Sequence, residues 1–291
     1  MRVLIVGCGY VGLPLGAALA KEGHEVTGIR RTLLSENELR AAGINPLIAD
    51  ITQAEALAEL AVAYDWVVNC VSSSHGGAED YRRVYVQGLR NLVDWLGTAP
   101  IRKFVYTSST SVYGQTDGSI VTEASPAEPA GETAQVLVEA ENVLLEAAQQ
   151  SEFPAVILRV AGIYGPERGH WFKQYLRGEA VIEGRGQRNL NMIHRDDAVG
   201  AIIAALKSGR AGEIYNAVDD EPVTQIDFFQ WLSTRLSRDL PPYEIEHRES
   251  ARKRAATNKR VSNLKLKREL GYCFKYPDFR QGYEGEIRLK P

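Results

Sequence analysis

Short apolar runs alternate along the first half of the chain with stretches in which apolar side chains recur every three or four positions. Residues 2–7, RVLIVG, are almost continuously apolar, which is the pattern of a strand buried on both faces. From about Tyr10 to Lys21, Val11, Leu15 and Leu19 fall on one side of a helix. The alternation continues with a strand HEVTGI, a helix near 35–42, a strand PLIAD at 46–50 and an Ala/Leu-rich helix at 53–63. Strand DWVVNCVS at 65–72, a long helix over about 79–97, strand KFVYTSS at 103–109, helix 132–150 and strand AVILRV at 155–160 complete it. Such β-α repetition predicts an α/β fold with a parallel, doubly wound sheet.

After about residue 165 the regularity breaks. AVIEG, NLNMIH, a helix at 196–207, EIYNAV and a helix at 224–237 mix short strands with helices. This predicts two interwoven lobes: a larger one from 1–165 plus about 192–220, and a smaller one from about 166–191 and 221–291. No repeat or low-complexity tract separates them.

Composition narrows the class. The chain has 291 residues, 44% hydrophobic and 24% charged, with a net charge of −3. That is enough for a large core, and it argues for no nucleic-acid and no membrane partner. The odd cysteines Cys8, Cys70 and Cys273 form no CxxC pair, so a reducing, cytoplasmic location is expected. The five histidines lack metal-ligand spacing, and no metal site is expected. The N-terminal apolar run superficially resembles a secretion signal, but Gly7, Gly9, Gly12, Pro14 and Gly16 interrupt it, so no leader is expected. No stretch approaches the roughly 20 apolar residues of a membrane helix.

Gly7, Gly9 and Gly12 follow the first strand as G-x-G-x-x-G and open the first helix. The first glycine permits the turn, the second lets a pyrophosphate approach the backbone, and the third lets helix and strand pack. Tyr10 and Val11 fill the variable positions, and the helix N-terminus adds N–H groups for the phosphates. At the end of the second strand, where an acid would accept from a ribose diol, the chain has Arg30 and Arg31. Guanidinium groups pair with a 2′-phosphate instead, so NADP(H) is expected in preference to NAD. Asp50, Val71, Ser72 and Ser73, after the third and fourth strands, are further expected cofactor contacts.

Five stretches then carry a resemblance: YVQGLRNLVDWL (85–96), YTSSTSVYG (106–114), LRVAGIYGP (158–166), MIHRDDAVGAIIAAL (192–206) and RVSNLKLKRELGY (260–272). In this order they are similar to motifs of the extended short-chain dehydrogenase/reductases, the NAD(P)-dependent epimerase/dehydratase family, in an atypical branch. The resemblance implies a Rossmann-like sheet with a small C-terminal substrate lobe. It also implies chemistry by a Ser/Thr that orients the substrate oxygen, a Tyr that exchanges a proton, and a Lys one helical turn later that eases the tyrosine's ionisation. Ser109 falls in the Ser/Thr position, but Thr133 and Leu137 occupy the positions of the Tyr and Lys. No alignment restores the pair, because no tyrosine in the chain has a lysine four residues after it.

Three readings follow. The chain is an oxidoreductase or epimerase/dehydratase-like enzyme acting on a small carbonyl or hydroxyl compound with another acid, for which Tyr113, His75 and Tyr164 are candidates. Alternatively it holds NADP(H) without catalysis, as a sensor or scaffold. Or it handles a nucleotide sugar, with Arg248, Arg252 or Arg254 of the basic segment 247–260 on a phosphate. Relatives pair two helices into a dimer interface, so the helices at 79–97 and 132–150 are expected to form a homodimer through Leu89, Leu92, Leu96, Ala134, Val138 and Leu145.

Overall fold

Seven parallel strands form the central sheet: β1 (Arg2–Val6), β2 (Glu25–Arg30), β3 (Ile44–Ile48), β4 (Trp66–Asn69), β5 (Lys103–Ser109), β6 (Ala155–Val160) and β7 (Ile214–Ala217). Their order is β7-β6-β5-β4-β1-β2-β3. This computed structural model describes residues 1–32, 36–73, 76–97, 99–244 and 257–288. The order reverses between β1 and β4, and in such sheets ligands bind at that switch point, beyond the carboxyl ends of the strands.

The strands form because their side chains are covered on both faces. Val3 and Ile5 enter the core on one side of the sheet, packed with Leu15 and Leu19 of the Gly12–Lys21 helix and Ala201, Ile202 and Ala205 of the Arg195–Ser208 helix. Leu4 and Val6 enter the other, packed with Leu89, Leu92 and Leu96 of the Gly88–Leu96 helix and Ala140 and Leu144 of the Glu132–Ser151 helix. Those leucines are therefore buried within one chain, at 0–1% exposure, and are not a surface for a second copy. The outward positions of the same helices hold charged residues, with Arg82 paired to Glu139. Val138 and Leu145, also expected in that contact, are only partly covered by the rest of the chain.

The small lobe has its own core, built from Tyr164, Phe172, Tyr175, Phe228, Phe229, Phe279 and Tyr283 among others. One boundary differs from expectation. Val261, Leu266 and Leu270 join the large lobe's core, and Arg260–Val261 pairs in parallel with Ile120–Val121. Asp197 explains why this tail returns: buried at the start of the Arg195–Ser208 helix, it accepts bonds from Tyr272 Oη (2.7 Å), Lys275 N (2.6 Å) and Tyr276 N (2.9 Å).

The expected long helix over 79–97 is interrupted. Ala78–Tyr81 and Gly88–Leu96 are α-helical, but Arg82–Gln87 forms a π-turn. The extra residue per turn shifts the side-chain register, a feature concentrated at functional sites. None of the described helices is long and apolar enough to cross a membrane.

Candidate functional site

A cavity of about 630 Å³ opens at the carboxyl ends of the strands, at the switch point. Gly7, Gly9, Tyr10, Val11, Arg30, Arg31, Asp50, Val71 and Ser72 line it, and so does Ser109 at the end of β5. The size suits a cofactor with a small substrate.

Each glycine of the loop has a separate steric task. Gly7 turns the chain at φ +91°, and a Cβ there would stand 2.8 Å from the Val71 backbone. Gly12 is absent from the wall: a Cβ there would lie 2.4 Å from the Gly7 carbonyl oxygen, so it serves packing. A Cβ on Gly9 would meet no protein atom within 4 Å. The chain thus keeps bare backbone facing open space at the foot of a helix, which fits a dinucleotide pyrophosphate.

At the β2 end the two arginines differ. Arg30 Nε donates to the Cys8 carbonyl in the glycine loop, and Arg30 Nη2 pairs with Glu38 at 3.1 Å. Arg31 is exposed at the wall beside Thr32. Asp50 Oδ1 accepts from both Thr52 N (2.9 Å) and Thr52 Oγ1 (2.8 Å), so this carboxylate also caps its own loop.

The catalytic candidates separate sharply. Ser109 stands at the wall, its Oγ accepting from Ser111 N at 3.1 Å. Leu137, which the resemblance aligns with the family lysine, also lines the cavity, whereas Thr133 does not. Tyr113 is removed from candidacy: it is fully buried behind the wall, donating to Asn216 Oδ1 (2.8 Å) and accepting from Arg159 Nη1 (2.9 Å). Tyr164 is likewise committed to the small-lobe core, stacked on Tyr283 at 4.4 Å, and burial pushes its hydroxyl's ionisation far up. His75 lies outside the described residues, as do Arg248, Arg252 and Arg254. Ser73 is also displaced from its expected role. It does not itself line the cavity; its N–H donates to Tyr85 Oη at 3.2 Å and its Oγ to Asp80 Oδ2.

Tyr81, Tyr85 and Arg168 are not among the expected site residues, yet all three line the cavity. Tyr81 and Tyr85 lie in and beside the π-turn, their rings 4.9 Å apart. Tyr85 opens YVQGLRNLVDWL, one of the stretches that carry the resemblance. Arg168 lies over the Tyr10 ring at 4.9 Å, and Tyr10 Oη donates to the Pro166 carbonyl at 3.0 Å. The glycine loop is thereby tied to the small lobe. Among the described residues no group of His, Cys, Asp and Glu could hold a metal.

Comparison with known proteins agrees with this geometry. The model of the NAD dependent epimerase/dehydratase family matches residues 3–217. The protein YeeZ of Escherichia coli K12 is 30% identical over 285 residues, covering 95% of this chain and 97% of YeeZ. A conserved protein of unknown function from Silicibacter pomeroyi DSS superposes with a TM-score of 0.81 at 28% identity, covering 99% of this chain and 98% of that one. The dTDP-glucose 4,6-dehydratase DesIV of Streptomyces venezuelae, solved with NAD bound, shares the fold at a TM-score of 0.83 and 24% identity, covering 99% of this chain and 96% of its own. With a Rossmann-like sheet, a glycine loop at its switch point and a family match over most of its length, this chain belongs to the NAD-dependent epimerase/dehydratase family.

Proposed function

We propose that this chain binds NADP(H) in the cavity and acts as an oxidoreductase or epimerase-like enzyme on a small carbonyl or hydroxyl compound, without the Tyr-x-x-x-Lys pair of its relatives. One observation carries the proposal. A single cavity runs from the bare backbone of Gly9 and the guanidinium of Arg31 to the hydroxyl of Ser109. The nucleotide cradle and a polar group fit to orient a substrate oxygen therefore share one space. When bound, the nicotinamide supplies or accepts a hydride. Arg31 and Thr32 would hold the 2′-phosphate at the β2 end, while Arg30 braces the glycine loop through Cys8.

Titration calorimetry with NADP+ and NAD+ tests the cofactor half. Wild type should prefer NADP+, and Arg31→Ala should lower NADP+ affinity by about tenfold or more while sparing NAD+, as expected for one lost charge-assisted contact of 1.5–3 kcal/mol. Arg30→Ala should weaken both nucleotides together. Equal affinity of wild type for the two would refute the preference.

A second reading has its own support. Leu137 puts an apolar side chain at the wall where the family has its lysine, as a protein that binds NADP(H) to sense or scaffold would tolerate. NADPH oxidation at 340 nm against a carbonyl panel separates the two readings.

A further inference from the structure

The cavity needs a proton source if it reduces a carbonyl, and the two tyrosines that the sequence offered from the strand-end motifs, Tyr113 and Tyr164, are buried elsewhere. We propose that Tyr85 is the proton donor of this site, replacing the absent pair from the opposite helix; this rests on the oxidoreductase reading above.

Three tyrosines line the cavity: Tyr10, Tyr81 and Tyr85. Tyr10 already donates its proton to Pro166. Tyr85 differs in being anchored through its oxygen. It accepts the Ser73 N–H at 3.2 Å and donates to no acceptor among the described residues. Ser73 follows Cys70, Val71 and Ser72, which form the cavity wall after β4, so this bond fixes the phenol oxygen beside the wall. The Arg82–Gln87 π-turn packs along the Glu132–Ser151 helix, placing Tyr85 and Leu137 on the same cavity.

The chemistry is complementary. In the usual pair a lysine stabilises the phenolate; here a backbone N–H directed at the phenol oxygen does so, since a hydrogen bond to the charged form favours it. Burial acts against this and holds the Tyr85 hydroxyl above its ordinary ionisation, so at neutral pH it carries its proton until an alkoxide develops. In reduction, the hydride supplied by NADPH adds to the carbonyl carbon and the C=O π pair moves to oxygen. That oxygen takes the Tyr85 proton, the phenolate is held by Ser73 N–H, and water returns the proton. Ser109 orients the same oxygen.

The test places 3-fluorotyrosine at position 85 and follows its fluorine resonance by NMR. Saturating NADP+ should move the resonance and lower the phenol's ionisation by about one pH unit, because a cationic ring then stands near it. In parallel, NADPH oxidation is measured with 4-nitrobenzaldehyde and 9,10-phenanthrenequinone. Tyr85→Phe should lower kcat by about 100-fold or more while NADP+ affinity by calorimetry stays within about threefold, well under the tenfold that 1.4 kcal/mol represents. A resonance unmoved by bound nucleotide overturns the proposal, as does turnover that survives Tyr85→Phe. If wild type turns over neither carbonyl, the fluorine response decides. Absence of any nucleotide uptake removes the NADP(H) reading and this one together, whereas uptake with a silent resonance removes Tyr85 alone.

Discussion

Glu141 and Arg159 lie behind the cavity wall at 1% and 4% exposure, and removing one of them should expose how much of the fold depends on a single buried charge pair. Arg159 donates through Nη2 to Glu141 Oε2 at 2.7 Å and through Nε to both carboxylate oxygens at 3.1 and 3.2 Å. Ser108 Oγ donates to Glu141 Oε1 at 2.6 Å, and the remaining guanidinium edge donates to Tyr113 Oη at 2.9 Å. Both ions are thus fully partnered, and together they join β5, β6 and the Glu132–Ser151 helix. Glu141→Gln keeps the shape but leaves the guanidinium buried without a counter-charge. A neutral hydrogen bond lost would cost about 0.5–1.5 kcal/mol. An uncompensated buried charge costs about 3–5 kcal/mol, which is a fall in Tm of roughly 5–8 °C for a chain of this size. Urea denaturation with an unchanged m-value reads the loss as a shift in midpoint. The double replacement Glu141→Leu with Arg159→Met should recover most of it, because no charge is then stranded. A Glu141→Gln loss below about 1 kcal/mol, or a double variant as unstable as the two singles added, would refute the coupling.

Gly9→Ala should fold as wild type, since the added Cβ meets nothing within 4 Å, yet lose about tenfold or more in nucleotide affinity by calorimetry; Gly12→Ala, 2.4 Å from the Gly7 carbonyl oxygen, should instead lose thermal stability. Lys259 is buried, donates to the Tyr113 carbonyl at 2.8 Å and has its ionisation lowered by burial from 10.5 to about 8. Between those values the unfolded chain binds more protons than the folded one, so stability should rise with pH there, by up to about 1.4 kcal/mol per pH unit. Denaturation midpoints of Lys259→Met across pH 8–10.5 should lack that rise. Asp219, also buried, has no hydrogen bond to either carboxylate oxygen among the described residues, and burial pushes its ionisation well up. Here the folded state holds a proton that the unfolded chain has released, so stability is lost as pH climbs from about 4. Asp219→Asn should therefore be more stable than wild type at pH 7 and lose that advantage in acid; an equal gain at both would refute it.

What the sequence made legible is what local pattern determines. Val3 to Val6 are apolar without interruption because both faces of β1 are covered, and that run, with the glycines after it, places the sheet and the nucleotide loop. The division of labour at Arg30 and Arg31 was not legible, since two adjacent guanidinium groups look alike until one is seen turned back onto the Cys8 carbonyl and Glu38. Tyr113 misled for a related reason. It follows a strand-end motif, where a hydroxyl can face the ligand, but β7 lies far away in sequence and only the folded chain brings Asn216 to that phenol. The leucines at 89, 92 and 96 form the same helical stripe whether they face a sheet or another subunit, and periodicity cannot name the partner. Tyr85 is the most instructive case. In an uninterrupted α-helix the side-chain directions of 85–96 follow from their spacing, and that spacing serves the core. The π-turn at Arg82–Gln87 adds a residue to one turn and breaks the link between spacing and direction just before Gly88. Tyr85 lines the cavity together with Tyr81 and Leu137, and apolar spacing alone does not say which face of this segment meets a ligand.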